Sequence, residues 1–488
     1  MLIDVIIFLP LAAALLMLLI PRTSSGVLKA AALAGSLATF ILSALVVPLA
    51  PNGVTQQVVP WITSGVVASY HVSLGGINVF FVLLTTFVAV PAVWAAWTYA
   101  NATRLRGYLM LLLAFEWTLL GLFTAGNLLL FYIYWDLMLI PVFLLLVGYA
   151  VSPQARRAAW GYLIYNGAGG LILLAGVIGL VVQTHTFEVV GATSGLPAGL
   201  EWWLFAAFAL AFLIKTPVFP FHAWMPDTYT QSPPPLVAMV SGVQSKAGLY
   251  GLIVFALPLF PNAAHAWAPL LLVLAVCSVV YGAFAALAQN NAKTLVAFSS
   301  LSHLGLVILA LFAFSFSVVQ ISVLMIVSHG LISAALFLLL GFIEERVGTC
   351  ELGSFGGLSV RAPRFGVFML IASMAALGLP GLSGFAGEFL IFLSAWQTQP
   401  VFVAISLVSV VIACVYVLKL FQSSMHGPEK LPAGAVRDGL ELRPREFALV
   451  APLLAAIIFL GLWPAWLNDR VPASNAVTQA SAASMESK

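Results

Sequence analysis

Seven titratable residues lie inside long apolar runs of this 488-residue chain. They are Glu116, Asp136, Lys215, Lys246, His303, His329 and Glu388. At 1.5 Å per residue of helix, most lie roughly 12–20 Å from one end of their runs, near the middle of a hydrocarbon layer about 30 Å thick. A charge at that depth costs at least ~2.5–3.5 kcal/mol. A row of acids, lysines and histidines at this level therefore predicts groups that exchange protons.

Each of these residues also has a purely structural interpretation. Asp136 and Lys215 could form a static ion pair, and Lys246 could serve packing. The two histidines could be hydrogen-bonded core residues, and Glu116 could bind a neighbouring helix. Lys419 lies three residues from the end of its run, so its long side chain is expected to reach the membrane surface.

The elements that must position these side chains are membrane-spanning helices. The chain is 62% hydrophobic and 7% charged, against roughly 25% charged residues in soluble domains, and backbone polar groups in lipid must be satisfied within helices. The net charge of +3 is too small to indicate nucleic-acid binding. Fourteen spans are predicted, at residues 2–20, 27–50, 78–100, 107–126, 128–150, 160–183, 202–222, 235–260, 267–288, 294–314, 317–341, 366–396, 401–422 and 446–466.

The connections between these spans predict the orientation of the chain. Most of the 19 Lys and Arg residues fall in alternate connections, beginning with Arg22 after the first span. Because basic residues are enriched in cytoplasmic loops, both termini are predicted on the outer side of the membrane. The outer connection 51–77 is predicted to form short strands, 423–445 an ordered inner loop, and the tail after Asp469 is expected to be disordered.

Cysteine usage argues against a metal or iron–sulfur centre in this chain. Cys277, Cys350 and Cys414 are far apart in sequence, and no CxxC or Cys/His ligand spacing occurs. We therefore interpret all three as small buried residues.

Two predicted spans are interrupted near the level of the titratable row. Pro217 and Pro220 follow Lys215 directly, and Gly378, Pro380 and other glycines precede the glutamate of the twelfth span. Interrupted helices at corresponding places predict inverted repeats with sites at the midplane. The predicted fold is an all-α polytopic membrane protein with two inverted five-helix repeats, spans 4–8 and 9–13, in which helices 7 and 12 are broken. The predicted segments are an N-terminal three-helix segment (1–106), a first repeat (107–260), a second repeat (261–422), and an inner loop, last helix and tail (423–488).

Several motifs resemble a known family. They are LLLFYIYWDLMLIPVFLLL at 128–146, FLIKTPVFPFHAWMPDTYTQSP at 212–233, ALAQNNAKTLVAFSSLSHLG at 286–305, SHGLISAALFLLLGFIEER at 328–346 and LGLPGLSGFAGEFLI at 377–391. The residues and the order of these motifs resemble those of the M-type antiporter-like subunit of NADH:quinone oxidoreductase (respiratory complex I), over about residues 80–466. The glutamate-bearing twelfth span is the part most particular to the M type.

The resemblance implies a role for each buried group. Asp136 takes the place of the family's fifth-helix glutamate, paired with Lys215, and Lys246 takes that of the connecting lysine. Glu388 takes the place of the terminal glutamate of an outward half-channel, and the two histidines of the row lie on the axis between. This chain departs from the family in having Asp rather than Glu at 136, and Gly161 where a lysine is usual.

The same resemblance implies partners and a location. No redox cofactor is expected in this chain, because NADH, FMN, iron–sulfur clusters and quinone belong to partner subunits. The expected partners are the other membrane-arm subunits of complex I, including further antiporter-like subunits, and the lipid bilayer. The expected location is the cytoplasmic (inner) membrane. A subunit of a multi-subunit Na⁺/H⁺ antiporter or of a membrane-bound hydrogenase relative remains the alternative function, and an inert scaffold the third.

Overall fold

The described part of the chain is helical apart from one β-hairpin. The structure, a computed structural model, describes residues 2–48, 55–62, 66–99, 104–150, 152–189, 196–432 and 439–471. The predicted disordered tail lies outside the described residues from 472 onward, as do residues 433–438 of the predicted inner loop.

The α-helices follow the predicted spans closely. They are α1 Leu2–Leu16, α2 Ser25–Val46, α3 Asn78–Tyr99, α4 Leu105–Thr124, α5 Leu128–Leu137, α6 Leu139–Tyr149, α7 Pro153–Thr184, α8 Ala198–Lys215, α9 Met225–Gln231, α10 Pro234–Gly242, α11 Ala247–Gly251, α12 Leu257–Leu259, α13 Pro261–Ala288, α14 Ala292–Ala313, α15 Val318–Val347, α16 Pro363–Leu377, α17 Ser383–Trp396, α18 Pro400–Ser406, α19 Val408–Met425, α20 Pro444–Leu462 and α21 Ala465–Asn468. A 3₁₀ turn, Gln244–Lys246, and a π turn, Leu252–Ala256, lie within the span that begins at α10.

Twelve helical stretches of the described residues are long and apolar enough to cross a membrane. The predicted count of fourteen is not confirmed. The first predicted span corresponds to α1, which has 15 residues, and the twelfth is divided between α16 and α17, each shorter than a full span. The predicted interruption of the seventh and twelfth spans is confirmed, and the division into two inverted repeats stays a prediction.

The predicted strands of the connection after α2 form an antiparallel hairpin. Strand β1, Thr55–Ile62, pairs with β2, Ala68–Leu74. We call the membrane side on which it lies the hairpin side. Ala125, directly after α4, bridges to Val72 of β2, and Thr186, after α7, bridges to Val67, directly before β2. The hairpin therefore covers the helix ends on this side.

A carboxylate secures the hairpin to these helix ends. Glu188 accepts hydrogen bonds from Ser69 Oγ (2.5 Å), His71 Nδ1 (2.9 Å) and Asn127 Nδ2 (3.1 Å). Asn127 also caps α5, because its side chain accepts from the Leu130 amide. Burial acts to raise the pKa of Glu188, but these three donors outweigh it and hold that pKa below its usual value.

On the opposite side, ion pairs connect the helix ends. Arg346 at the end of α15 lies 2.5 Å from Glu446 in the first turn of α20, and both side chains are buried. Arg346 also donates to the Phe342, Gly439 and Glu441 carbonyls. The guanidinium therefore joins the last spanning helix to the centre of the bundle.

The centre of the bundle consists of α14, α15 and the span from α10 to α12. These three are almost entirely buried, whereas only 33–39% of the residues in the most apolar stretch of α2, α7 and α20 are buried. They also carry Lys246, His303 and His329. Three of the seven candidate residues therefore lie on the helices least accessible to lipid.

Candidate functional site

Lys215 is the last residue of α8, where the helix stops inside the apolar layer. Pro217 has no amide hydrogen, and the Leu213 carbonyl accepts from Val218 instead, at 3.3 Å. The Lys215 side chain is buried, and its ammonium lies 4.7 Å from the centroid of the Trp135 ring. Its Nζ has no hydrogen-bond partner among the described residues. Contact with an aromatic face is favourable for a desolvated cation, and it leaves all three ammonium protons free for transfer.

Asp136 lies in the last turn of α5, close to Lys215 but not bonded to it. Its charge acts on the Lys215 ammonium, although no ion pair joins the two side chains within 4 Å among the described residues. The carboxylate packs on α7 at Gly170, where an added Cβ would overlap Asp136 Oδ1. This oxygen is buried and has no hydrogen-bond partner among the described residues.

The second lysine of the row lies in a break of its own span. α10 ends at Gly242, and Lys246 closes the 3₁₀ turn that follows. Its fully buried ammonium donates to the Ser241 carbonyl and to Ser245 Oγ. The break thus leaves the Ser241 carbonyl, which a continuous helix would use internally, as an acceptor for the lysine. The Ser245 hydroxyl is a second acceptor.

Two close helix contacts place this break between its neighbours. A Cβ at Gly248 would overlap the Phe212 carbonyl of α8, and a Cβ at Gly330 would lie 2.6 Å from the Gly242 carbonyl. Glycine at these positions lets the backbone of the interrupted span approach α8 on one side and α15 on the other. The break therefore lies between the helix that ends in Lys215 and the helix that carries His329.

Two histidines and a glutamate continue the row. The rings of His303 on α14 and His329 on α15 have centroids 5.6 Å apart, and His329 interacts electrostatically with Lys246 and with His303. His303 Nδ1 lies 2.9 Å from Glu388 Oε1 on α17, without the alignment of a hydrogen bond. All three side chains are buried. Lys246, His329, His303 and Glu388 thus form one connected sequence of groups.

The twelfth-span glutamate lies next to the interruption between α16 and α17. Gly378 ends α16 with a φ of +79°, a conformation that favours glycine, and a Cβ there would lie 3.0 Å from Glu388 Oε2. Tyr416 on α19 interacts electrostatically with Glu388. Its buried hydroxyl has no hydrogen-bond partner among the described residues.

Glu116 and Lys419 differ from the other charged residues of the spans. Glu116 on α4 is fully buried and faces Ser36 of α2, toward the N-terminal helices. Lys419 donates to the carbonyls of Leu287 (3.1 Å) and Gln289 (2.8 Å), which end α13. A cation at a helix C-terminus is stabilising, so Lys419 has a structural role at the edge of the spans.

Sequence reasoning missed the uncharged members of the site. Gln244, two residues before the buried lysine of its turn, donates to the Tyr162 hydroxyl of α7, and Trp135 forms the surface on which Lys215 lies. A polar residue beside a buried lysine is a signal that could have pointed to Gln244. Trp135 is one of 13 tryptophans, and its place in the sequence gives no such signal.

The arrangement is suited to moving protons. Among the described residues, no group of three or more His, Cys, Asp or Glu side chains is placed to bind a metal ion. Imidazole can accept a proton on one nitrogen and release it from the other, and buried polar atoms with unused hydrogen-bonding capacity can bind water. Donors and acceptors of this kind follow one another from the end of α8 to α17.

Known proteins resemble this chain over nearly its full length. The family described as NADH:quinone oxidoreductase/Mrp antiporter, TM, matches residues 125–413. NADH-quinone oxidoreductase subunit M of Rhodobacter capsulatus is 32% identical over 96% of this chain and 94% of that protein. The subunit of the same name from Mycobacterium tuberculosis (strain H37Rv) is 34% identical over 93% of this chain and 90% of that protein.

Solved structures with a similar fold point to the same family as these sequence relatives. A chain of respiratory complex I from Thermus thermophilus with bound NADH superposes with a TM-score of 0.88 at 30% identity, over 99% of both chains. A chain of the Mrp complex from Dietzia sp. DQ12-45-1b superposes with a TM-score of 0.87 at 20% identity, over 98% of this chain and 97% of that chain, which shows a shared fold. The two sequence relatives, at 32% and 34% identity over more than nine tenths of this chain, bear the same name, and the chain belongs to the family of M subunits of NADH-quinone oxidoreductase.

Proposed function

We propose that this chain is a proton-translocating subunit in the membrane arm of an NADH:quinone oxidoreductase. Electron transfer from NADH to quinone takes place in partner subunits, which hold FMN and the iron–sulfur clusters, and this chain contributes titratable groups alone. Its neighbours are the other membrane-arm subunits, including further antiporter-like ones, and it lies in the cytoplasmic membrane with the hairpin side outward.

The observation that carries this proposal is the connected row of buried groups. His303 lies 2.9 Å from Glu388 and its ring centroid 5.6 Å from that of His329. The charge of Lys246 acts on His329, and the break that holds Lys246 packs on the end of α8. Isolated ionised groups at membrane depth are costly and mark proton or ion pathways.

The row supports transfer in single proton steps. The Lys246 ammonium gives a proton to neutral His329 and becomes an amine. His329 passes a proton to His303, and the imidazolium then protonates the Glu388 carboxylate. Asp136 and Lys215 form the proton-binding pair that precedes Lys246 in the row, where the negative charge of Asp136 stabilises the protonated Lys215. Glu116 faces Ser36, and its part in proton transfer stays a prediction.

Point variants in the intact complex test the proposal. Lys246→Met and Asp136→Asn are expected to lower the number of protons pumped per electron in membrane vesicles that oxidise NADH. Lys430→Met and Glu429→Gln are the controls, because both residues are exposed on the side opposite the hairpin. Full pumping stoichiometry in both pathway variants would contradict the proposal.

The alternative of an Na⁺/H⁺ antiporter subunit shares the fold and differs in its partners. The likeness to the Mrp complex, at 20% identity, concerns the fold alone, whereas the relatives of 30% identity and above favour complex I. Mild-detergent purification of the tagged chain separates the two. Recovery in a flavin-containing complex that oxidises NADH supports our proposal, and recovery with small membrane partners and Na⁺ flux supports the alternative.

A further inference from the structure

An apolar groove lies on the outer surface of the helical bundle, away from the titratable row. Its floor is α3 with part of α15, and its walls are α2 and α20. Near the hairpin side it widens into a cavity of about 390 Å³, which is within the ~300–1,000 Å³ range of small-molecule sites. The groove thus offers an apolar volume that is open on one side.

The groove continues toward the opposite side of the membrane. A second cavity of about 220 Å³ shares Phe40 and Phe87 with the first and reaches Trp94 and Pro452. From Phe80 to Trp94 along α3 is about 21 Å at 1.5 Å per residue, and one leaflet contributes about half of a hydrocarbon layer ~30 Å thick. At about 21 Å the groove is longer than the ~15 Å depth of one leaflet, so a single acyl chain that enters from the hairpin side would fill its wide end and most of its length.

A single charged residue lines the wide end. Arg470 follows α21, its guanidinium lies 5.1 Å from the centroid of the Trp466 ring, and its Nη1 donates to the Trp466 carbonyl at 2.7 Å. No ion pair of Arg470 occurs among the described residues. The neighbouring Asp469 lines a separate depression with Ser317. Tryptophan and arginine at a membrane boundary are typical of contact with lipid headgroups.

We propose that this groove binds an anionic phospholipid of the hairpin-side leaflet. One acyl chain lies in the groove between α2 and α20, and the headgroup phosphate binds Arg470. The Arg470 guanidinium is held by its hydrogen bond to the Trp466 carbonyl and by the Trp466 ring. It still presents N–H groups to a phosphate, and the planar shape of a guanidinium favours two parallel hydrogen bonds. The site is independent of the proton row and of the proposed function.

Lipid analysis of the purified complex tests the site. The complex is incubated with liposomes of dioleoyl-phosphatidylglycerol and dioleoyl-phosphatidylcholine, repurified in mild detergent, and its retained lipids are counted by mass spectrometry. Arg470→Gln removes the charge, and Ala44→Phe fills the groove. Both are expected to abolish the retention of one phosphatidylglycerol per chain, whereas Arg470→Lys keeps most of it.

Two matched variants serve as controls. Arg364→Gln removes an exposed charge on the opposite side, and Ala455→Phe enlarges an exposed position of α20 outside the groove. Both are expected to retain the lipid. Equal retention of phosphatidylcholine, unchanged lipid in Arg470→Gln, or quinone in place of phospholipid would each overturn the proposal. So would a crosslink from Ala44 to a helix of a neighbouring subunit.

Discussion

Among single residues, Gly170 determines how closely the Asp136 carboxylate can pack on α7. The carboxylate of Asp136 occupies the space that a side chain at Gly170 would need. We expect Gly170→Ala to displace Asp136 from Lys215 and to lower proton pumping several-fold, because added volume at a packed site forces neighbouring side chains to move. Proton pumping and NADH:quinone activity in membrane vesicles provide the measurement.

Gly167→Ala is the matched control on the same helix. A Cβ at Gly167 meets nothing within 4 Å, and alanine favours a helix over glycine by roughly 0.5–1 kcal/mol. This variant should therefore pump normally and be at least as stable. Equal activity of the two alanine variants would show that close packing against Gly170 is not needed.

A second residue-scale prediction concerns the pair formed by His303 and Glu388. Their side chains lie 2.9 Å apart, so removal of one changes the environment of the other. We expect His303→Gln and Glu388→Gln each to slow coupled pumping by about tenfold or more, in line with general acid–base groups. The double variant should be little worse than either single one, since residues that act together are not additive. Losses that multiply would indicate two independent roles.

At the scale of the element, the hairpin depends on one carboxylate. Because Glu188 has a pKa below its usual value, its stabilisation is present above the ordinary carboxyl pKa and is lost as the pH falls through the lowered one. We expect Glu188→Gln to destabilise the complex at neutral pH by about 1–3 kcal/mol. The difference in melting temperature between wild type and variant should shrink on acidification.

An exposed acidic residue on the opposite side gives the comparison. Glu345 lies 3.2 Å from Arg443, whose side chain is about half exposed, and such surface pairs contribute roughly 0–1 kcal/mol. Glu345→Gln should therefore change the melting temperature little at any pH. A Glu188→Gln deficit that stayed constant with pH would contradict an electrostatic cause.

At the scale of the whole molecule, the chain must have a single orientation in the membrane. In a chain whose three cysteines are replaced by alanine, Val58→Cys puts a thiol on the exposed face of the hairpin and Glu429→Cys puts one on the other side. A membrane-impermeant maleimide added to intact cells should label the first variant alone. Labelling of the second without permeabilisation would reverse the orientation that the basic residues predict.

The composition and the breaks in the apolar pattern were sufficient to predict most of this architecture. Proline after Lys215, and Pro380 before Glu388, remove helical hydrogen bonds wherever the chain is placed. The glycines before Glu388 weaken the helix further, so both interruptions follow from the local sequence. The break at Lys246 was not predicted. It depends on contacts of Gly242 and Gly248 with other helices, and such contacts have no local pattern.

The site was predicted as a set of residues, and its order in space came from packing. Depth along a span can be counted from the sequence, but the direction in which a side chain points around the helix depends on its neighbours. Glu116 has the same depth as the others, yet it faces Ser36 and the N-terminal helices. Asp136 and Lys215 interact across a gap, and the Trp135 ring lies beside the ammonium.

The buried pair of Arg346 and Glu446 has a consequence for the synthesis of the chain. One hundred residues separate the two, so the ribosome releases the arginine long before its carboxylate exists. Until α20 enters the membrane, this guanidinium lacks its counterion, a condition that costs about 3–5 kcal/mol in a finished protein. Arrival of the last spanning helix removes that cost. Insertion of α20 therefore completes the charge pairing of Arg346 at the end of α15.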